Sequence, residues 1–227
     1  RVAPTINEVM AAELVARDGG TEVNRRLAEF LGTVDTVAAG PGLETHEGAR
    51  AAVQTILDSE VNRAVLDADA LNILANQLDD DLLASFTDRA TAVLTPHPGE
   101  MARLQGCQLP DILDDPVGCA TDYARETGAM VVLKMAATIV AAVDGRVGIN
   151  RSGNPGMATG GMGDVLTGII AARVTESTGD LFEDVCLAVW AHGAAGDRAA
   201  EAAGQRGLGA TDLADALPAV WRAIERA

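Results

Sequence analysis

The stretch from residue 150 to residue 168 holds the residues best suited to bind and transfer an anionic group. Its sequence, NRSGNPGMATGGMGDVLTG, leads from Gly160, Gly161 and Gly163 into Asp164 and an apolar segment. Glycines adopt backbone conformations closed to other residues, so successive N–H groups can converge on a phosphate at a helix N-terminus. Asp164 on the first turn could then accept a proton from a hydroxyl that attacks phosphorus. The alternative is a glycine-rich turn in which Asp164 only caps a helix.

Lys134 is the only lysine of the chain. It follows the apolar run Met130–Leu133, a predicted buried strand, so its ammonium group should lie at a strand's carboxyl end, where open α/β sheets bind ligands. The chain contains no Gly-x-x-x-x-Gly-Lys-Ser/Thr motif, which excludes a P-loop nucleotide hydrolase. We interpret Lys134 as a functional residue that contributes little to packing. The alternative is an edge residue whose aliphatic stem lies along apolar surface.

Length and composition limit the class of protein. A chain of 227 residues, of which 48% are hydrophobic, can bury one substantial core, so residues 1–227 are expected to form a single domain. The net charge of −16 predicts an acidic surface and argues against nucleic acid or an anionic membrane as a partner. No stretch approaches the roughly 18 apolar residues of a membrane span.

The three cysteines, Cys107, Cys119 and Cys186, are odd in number and include no Cys-x-x-Cys pair. This pattern indicates neither a disulfide framework nor a zinc site. We therefore expect free thiols in a reducing, cytoplasmic environment.

Apolar runs alternate with amphipathic stretches, which predicts an α/β fold with a mostly parallel sheet, right-handed crossovers and helices on both faces. The predicted strands are Val34–Ala39, Arg63–Leu66, Thr91–Leu94, Met130–Leu133, Thr138–Val143 and Arg146–Ile149, the last two joined as a hairpin by Asp144-Gly145. The predicted helices are Glu44–Leu57, Ala70–Leu78, a short helix ending at Leu104, Pro116–Thr127, Asp164–Val174, Leu181–Ala203 and Thr211–Arg226.

Polar and glycine-rich loops follow the predicted strands, so they should meet at one edge of the sheet and form a ligand crevice. The segment Gly40-Pro41-Gly42 belongs either to this crevice or to a simple tight turn. Asp67 and Asp69 follow the second strand and should reach the crevice, although for Asp69 capping of the following helix is the preferred interpretation. His192 lies within a predicted Ala-rich helix, where packing is the preferred interpretation.

The third strand leads into Thr95-Pro96-His97-Pro98-Gly99-Glu100. Two prolines should hold His97 rigid and exposed, which favours ligand contact over a core role. Glu100 either favours the start of the next helix or serves as a Mg²⁺ ligand in the crevice.

These motifs together resemble a known family, the ADP- or ATP-dependent NAD(P)H-hydrate dehydratases of the ribokinase-like fold. The resemblance covers the chain from about residue 34 to its end. It is carried by six segments in the order of the family: residues 35–43 (DTVAAGPGL), 66–72 (LDADALN), 94–101 (LTPHPGEM), 132–138 (VLKMAAT), 150–168, and 192–197 (HGAAGD).

The resemblance implies a repair reaction in which a nucleotide phosphorylates the ring hydroxyl of the S-epimer of hydrated NAD(P)H. Loss of that phosphate then restores NAD(P)H. It also implies roles for individual residues: Asp164 as the catalytic base, Gly161 and Gly163 in an anion hole, Gly42, His97 and Asp164 at the hydrate, Lys134, Met135, Ala136, Ala137, Thr138 and Gly163 at the adenine nucleotide, and Glu100 at Mg²⁺ through water. We also expect a homo-oligomer.

Three departures from the family are visible. The N-terminal strand and helix of the family have no counterpart before Arg1, Met135 replaces a usual glycine, and Met162 replaces a usual Thr or Ser. We expect slowed rather than abolished chemistry, because the backbone N–H groups remain. Two other functions stay open: a kinase of the same fold that releases a phosphorylated vitamin-like alcohol, and a nucleotide-binding protein without turnover.

Overall fold

The described residues form a sheet of six strands, which lie side by side in the order of the chain. The structure is a computed structural model that describes residues 21–79 and 81–226. Strands β1 to β4 pair in parallel, and β5 and β6 continue the sheet as an antiparallel hairpin. The strands are β1 Thr36–Ala39, β2 Arg63–Leu66, β3 Thr91–Leu94, β4 Met130–Leu133, β5 Thr138–Ala141 and β6 Val147–Asn150. The α/β, ribokinase-like architecture expected from the sequence is confirmed.

Three strands, β2, β3 and β4, have the predicted bounds, whereas the hairpin strands are shorter at the turn. Ala142 and Val143, predicted as strand, belong to the turn: Gly145 N–H donates to the Ala142 carbonyl at 3.0 Å, and Gly145 has a φ of 89°. The Asp144 carboxylate accepts from the backbone N–H of Arg146 at 3.0 Å. Strand β5 therefore ends two residues earlier, and β6 begins one residue later, than hydrophobicity alone indicates.

The described residues form ten α-helices. They are α1 Thr21–Leu31, α2 Glu47–Asp58, α3 Ala68–Gln77, α4 Asp81–Thr87, α5 Pro98–Leu104, α6 Leu109–Asp114, α7 Pro116–Thr127, α8 Met162–Glu176, α9 Leu181–Ala203 and α10 Ala210–Ile224. The bounds of α7 and α9 match the prediction, while α1, α4 and α6 were not predicted. The predicted start of α2 was wrong: Glu44 has a φ of 61°, and the His46 imidazole caps the helix by accepting from Ala49 N at 3.1 Å.

The two faces of the sheet are covered by different parts of the chain. Leu66 and Leu94 pack against helices α2 to α4, whereas their neighbours Val65 and Val93 pack against α8 and α9. The parallel strands follow one another in a single direction across the sheet. Because crossovers between parallel strands are right-handed, every connecting helix lies on the same face. The opposite face is therefore left to α8 and α9, with α10 packed behind them.

No helix in residues 21–79 and 81–226 has the length and apolar character needed to cross a membrane.

Candidate active site

A cleft of about 820 Å³ opens at the carboxyl ends of β3 and β4. One wall, the strand-end wall, carries His97, Lys134 and the segment that follows Lys134. The other wall, the helix-loop wall, consists of the 150–160 loop and the N-terminus of α8. Helix α9 contributes His192 and its neighbours. The expected crevice at this edge of the sheet is thus present.

Lys134 lies between two carboxylates on the strand-end wall. Its Nζ is 2.5 Å from Asp67 Oδ1 and 3.8 Å from Glu100 Oε2, and 21% of its side chain is exposed. The interpretation that Lys134 contributes little to packing did not include this ion pair with Asp67, which is only 1% exposed. An ion buried without its partner is strongly destabilising.

Asp67 connects the two walls of the cleft. Its Oδ1 accepts from Lys134, and its Oδ2 accepts from Thr167 Oγ1 on α8 at 2.7 Å. Its backbone carbonyl also lies against Gly40, where a Cβ would come within 1.7 Å of the oxygen. Gly40 has a φ of 129°, so both the close approach and the conformation require glycine.

Asp69 fixes a loop rather than a helix end. The N-cap of α3 is Asp67, and the Asp69 carboxylate accepts from the backbone N–H of Glu44 at 2.8 Å. The capping interpretation of Asp69 was therefore wrong. Residues 40–43 form a tight turn, since Leu43 N–H donates to the Gly40 carbonyl at 3.0 Å.

His97 and Glu100 form a reciprocal cap at the start of α5. His97 Nδ1 accepts from the backbone N–H groups of Gly99 and Glu100 at 3.0 and 3.3 Å, and Glu100 Oε2 accepts from His97 N–H at 2.8 Å. Partial burial lowers the pKa of the His97 imidazole. A neutral ring that accepts at Nδ1 carries its proton on Nε2, which lies 3.3 Å from Glu100 Oε1. Half of the His97 side chain remains exposed and lines the cleft.

The N-terminus of α8 presents backbone donors to the cleft. The N-cap is Gly161, with a φ of 86°, and as a glycine it has no side chain that could cap the helix. The first intrahelical bond here runs from Val165 N–H to the Gly161 carbonyl at 3.1 Å, which leaves the preceding N–H groups of the first turn for other acceptors. A Cβ on Gly163 would lie 3.5 Å from Lys134 Nζ and 3.6 Å from Asp67 Oδ2. The helix end and the lysine thus face the same point.

The loop before α8 is held by Asp197 on α9. Asp197 accepts from Gly153 N–H at 2.9 Å and from Asn154 Nδ2 at 3.0 Å. Ser152 Oγ donates to the Trp190 carbonyl at 3.0 Å, close to Gly193, where a Cβ would clash with Ser152. The motif at residues 192–197 therefore anchors this loop through its glycine and its aspartate.

His192 is neutral and structural in this arrangement. Its Nε2 lies 3.0 Å from the Met162 carbonyl, and burial lowers the pKa of the imidazole to about 4. The ring donates a hydrogen bond and ties α9 to the start of α8. It also lines the cleft, so the expected packing role and contact with the cleft coincide.

The cleft brings together most, but not all, of the predicted site residues. Those that line it are His97, Lys134, Met135, Ala136, Thr138 and Gly163. Those described residues that do not are Gly42, Glu100, Ala137, Gly161 and Asp164. Asp164 is exposed on the first turn of α8, next to Gly163, and Glu100 is buried behind Lys134. The roles assigned to these residues stay predictions.

The two methionines that depart from the family pattern both line the cleft but pack against different parts of the core. Met162 is 4% exposed and packs with Ala191, Ala195 and Leu213 of α9 and α10. Met135 is partly buried against the core beneath β4 and β5 and lines the cleft. Met162 therefore adds apolar anchoring to the start of α8 rather than a polar donor.

Sequence reasoning missed the roles of Thr167, Asp197 and Ser152. Each acts through a partner far away along the chain, so no local sequence motif predicts the contact. Asp197 was part of a recognised segment, but its bonds to the 150–160 loop were not predictable from that segment alone.

Solved structures of the ribokinase-like class share this fold. The chain is similar to the ADP/ATP-dependent NAD(P)H-hydrate dehydratase from Bacillus subtilis co-crystallised with ATP/Mg²⁺, with 32% identity and a TM-score of 0.73 over 83% of this chain and 64% of that one. A ribokinase-like superfamily protein from Enterococcus faecalis matches with 25% identity and a TM-score of 0.71, over 87% and 66% of the two chains. The fold and the site thus define a ribokinase-like protein.

The chain belongs to the NAD(P)H-hydrate dehydratase family, whose sequence model matches residues 2–219. It is 46% identical over 216 residues to the bifunctional NAD(P)H-hydrate repair enzyme Nnr of Moorella thermoacetica, covering 94% of this chain and 39% of that protein. The Nnr enzyme of Escherichia coli is 42% identical over 191 residues, covering 84% and 35%. The chain spans about two fifths of the length of the curated relatives it matches.

Proposed function

We propose that this chain catalyses the ADP- or ATP-dependent dehydration of the S-epimer of hydrated NAD(P)H. The observation that carries the proposal is the meeting of Lys134 and the first turn of α8 at one cleft, with Asp164 directly after the lining residue Gly163. A cation and a helix N-terminus together suit a transferring phosphoryl group. The family membership and the dehydratase from Bacillus subtilis support the same reaction.

The first step forms a bond between the ring hydroxyl oxygen and the terminal phosphorus of the nucleotide, as the bond from that phosphorus to the bridging oxygen breaks. Asp164 takes the hydroxyl proton, while Lys134 and the N–H groups near Gly163 stabilise charge on the phosphoryl oxygens. In the second step the ring C–O bond breaks and phosphate departs with the electron pair. Loss of a neighbouring ring proton then gives the double bond of NAD(P)H.

The residues present fit a magnesium ion held through water. In residues 21–79 and 81–226, no three His, Cys, Asp or Glu side chains converge as a metal cage. Mg²⁺ characteristically keeps several waters and binds one or two carboxylates together with nucleotide phosphates. Glu100, buried beside Lys134, is the carboxylate that would hold it in this way. When bound, Mg²⁺ neutralises charge on the nucleotide phosphates.

The apolar part of the cleft supports nucleotide binding by the segment after Lys134. Met135, Ala136 and Thr138 line the cleft beside the lysine, and the Thr138 hydroxyl donates to the Met135 carbonyl at 3.3 Å. His97, exposed on the same wall, is then placed for the hydrate. Small and apolar side chains suit the face of an adenine ring, while Lys134 suits its phosphates.

We further propose that the chain forms a homo-oligomer and is located in the cytoplasm. Exposed apolar side chains such as Ile149, at 59%, and Trp190, at 43%, support association, and the three cysteines are free thiols, as expected in a reducing compartment. Light scattering coupled to size-exclusion chromatography checks the oligomeric state.

The test follows NADH absorbance after hydrated NADH is mixed with the chain, Mg²⁺ and either ADP or ATP. The expected result is NADH formation and release of inorganic phosphate in equal amounts, with loss of both in Asp164→Asn. A phosphorylated product that accumulates without NADH would indicate a kinase. Nucleotide binding by calorimetry without any turnover would indicate a binding protein.

A further inference from the structure

Asp67 has no role in the steps of the proposed reaction. Its carboxylate is buried, at 1% exposure, and both of its oxygens are engaged: Oδ1 with Lys134 at 2.5 Å and Oδ2 with Thr167 at 2.7 Å. Lys134 belongs to the strand-end wall and Thr167 to α8. The carboxylate therefore joins the two walls behind the residues that line the cleft.

This connection solves an electrostatic difficulty. The point of contact between Lys134 and the first turn of α8 brings an ammonium group near the positive end of a helix dipole, since a Cβ on Gly163 would lie 3.5 Å from Lys134 Nζ. Two groups that both attract anions repel each other when no anion is bound. Asp67 supplies a fixed negative charge between them, at 3.6 Å from the same Gly163 Cβ position.

We infer that Asp67 is a positioning residue that holds the Lys134 ammonium group against the N-terminus of α8, so that both reach one phosphoryl group. Thr167 orients the carboxylate by donating to its second oxygen. Glu100, at 3.8 Å, is too far from Lys134 Nζ for a hydrogen bond and does not replace Asp67. The inference rests on the proposed nucleotide-binding role of Lys134.

The sequence itself offers a direct spectroscopic readout. Lys134 is the only lysine, so a chain labelled with ¹⁵N-lysine and carrying a lysine-free tag gives one side-chain ammonium signal. A hydrogen bond to a buried carboxylate slows exchange of ammonium protons with water, so we expect this signal to be sharp in the parent chain. Asp67→Asn should broaden it or abolish it.

Asp69→Asn is the matched control. Asp69 lies on the same first turn of α3, but its carboxylate accepts from Glu44 N–H instead of Lys134. The control should leave the Lys134 signal unchanged. An unchanged signal in Asp67→Asn as well would overturn the inference. Should Asp67→Asn fail to fold, Thr167→Val keeps the charge and removes only the orienting bond, and it should still shift the signal.

A double-mutant cycle then tests whether the position of the Lys134 ammonium group affects nucleotide binding. Calorimetry with Mg²⁺ and ADP or ATP should show about tenfold weaker binding in Asp67→Asn, and no further loss when Asp67→Asn is added to Lys134→Met. Equal losses in both backgrounds would mean that Asp67 does not act through Lys134. A parent chain that binds no nucleotide, yet whose lysine signal depends on Asp67, would refute the proposed function while leaving the positioning contact established.

Discussion

The two walls of the cleft prepare for an anionic ligand in opposite ways. On the strand-end wall, the charged and titratable groups are already partnered: Lys134 with Asp67, and His97 with Glu100 in a reciprocal cap. On the helix-loop wall, the donors are backbone N–H groups of the first turn of α8, and the loop before them is fixed by Asp197.

Both arrangements allow an acidic protein to bind an anion. With a net charge of −16, long-range attraction does not favour an anion, so binding must depend on short-range groups held in place. One wall fixes a single cation with carboxylates, and the other fixes dipoles with a glycine-rich backbone. Substitutions on the two walls should therefore have different effects on the protein.

The largest effect is expected at Asp164, the one carboxylate on the first turn of the helix-loop wall. Asp164→Asn should lower turnover of hydrated NADH by about 10²- to 10⁴-fold and change nucleotide affinity little, because a general base acts in the transition state. Glu176→Gln, at the other end of α8, is the matched control and should behave like the parent chain. A loss of less than tenfold in Asp164→Asn would remove Asp164 as the base.

The second largest effect is expected at Asp197, which clamps the loop before α8 on the helix-loop wall. Asp197→Ala removes two hydrogen bonds to a charged acceptor, and we expect a loss of about 3 kcal/mol in the free energy of unfolding. Urea unfolding measures it, and hydrogen exchange should show faster opening of residues 150–157. Glu201→Ala, exposed on the same helix, should change stability by less than about 0.5 kcal/mol. Equal values for the two variants would argue against a clamp.

His192, which ties α9 to the start of α8, gives a pH dependence with a defined sign. Its folded pKa of about 4 lies below the ordinary value of 6.5, so the unfolded chain binds more protons between these values and stability falls as pH decreases through them. From about pH 7 to about pH 5, this group should cost on the order of 2 kcal/mol. His192→Gln keeps a donor for the Met162 carbonyl without the titration, so its stability curve should be flatter. Parallel curves would contradict the assignment.

The smallest effect is expected at Gly163, where the two walls meet. Gly163→Ala and Gly168→Ala each place a methyl group in α8, and each should add about 0.5–1 kcal/mol of helix stability. The Gly168 methyl meets nothing within 4 Å, whereas the Gly163 methyl contacts Lys134 and Asp67. Only Gly163→Ala should therefore weaken nucleotide binding, by about tenfold in calorimetry. Equal affinities would show that the ligand does not approach this point.

Local patterns sufficed for the sheet and for the position of Lys134. Buried parallel strands are short apolar runs, so Arg63–Leu66, Thr91–Leu94 and Met130–Leu133 were predictable residue by residue. The short helices α4 and α6 were not, because six or seven residues carry too little periodicity to identify a helix.

The partners of the site residues could not be read from the sequence. Asp67 is 67 positions from Lys134 and 100 from Thr167, so their contacts depend on how α8 crosses the sheet. The interpretation of Asp69 was wrong for a related reason: its acceptor is used by a loop 25 residues away rather than by its own helix. Spacing identifies which residues reach an edge of the sheet, but not which of them pair there.

The arrangement of helices also bears on how the chain folds as it is synthesised. Strands β1 to β4 and the helices that connect them leave the ribosome before α8 and α9, since synthesis proceeds from the N-terminus. Val65, Val93 and Val132 nevertheless face α8 and α9, which follow later in the chain. A nascent chain that ends after the β5–β6 hairpin therefore presents a sheet with one bare apolar face, and this face stays exposed to solvent until α8 and α9 have been synthesised.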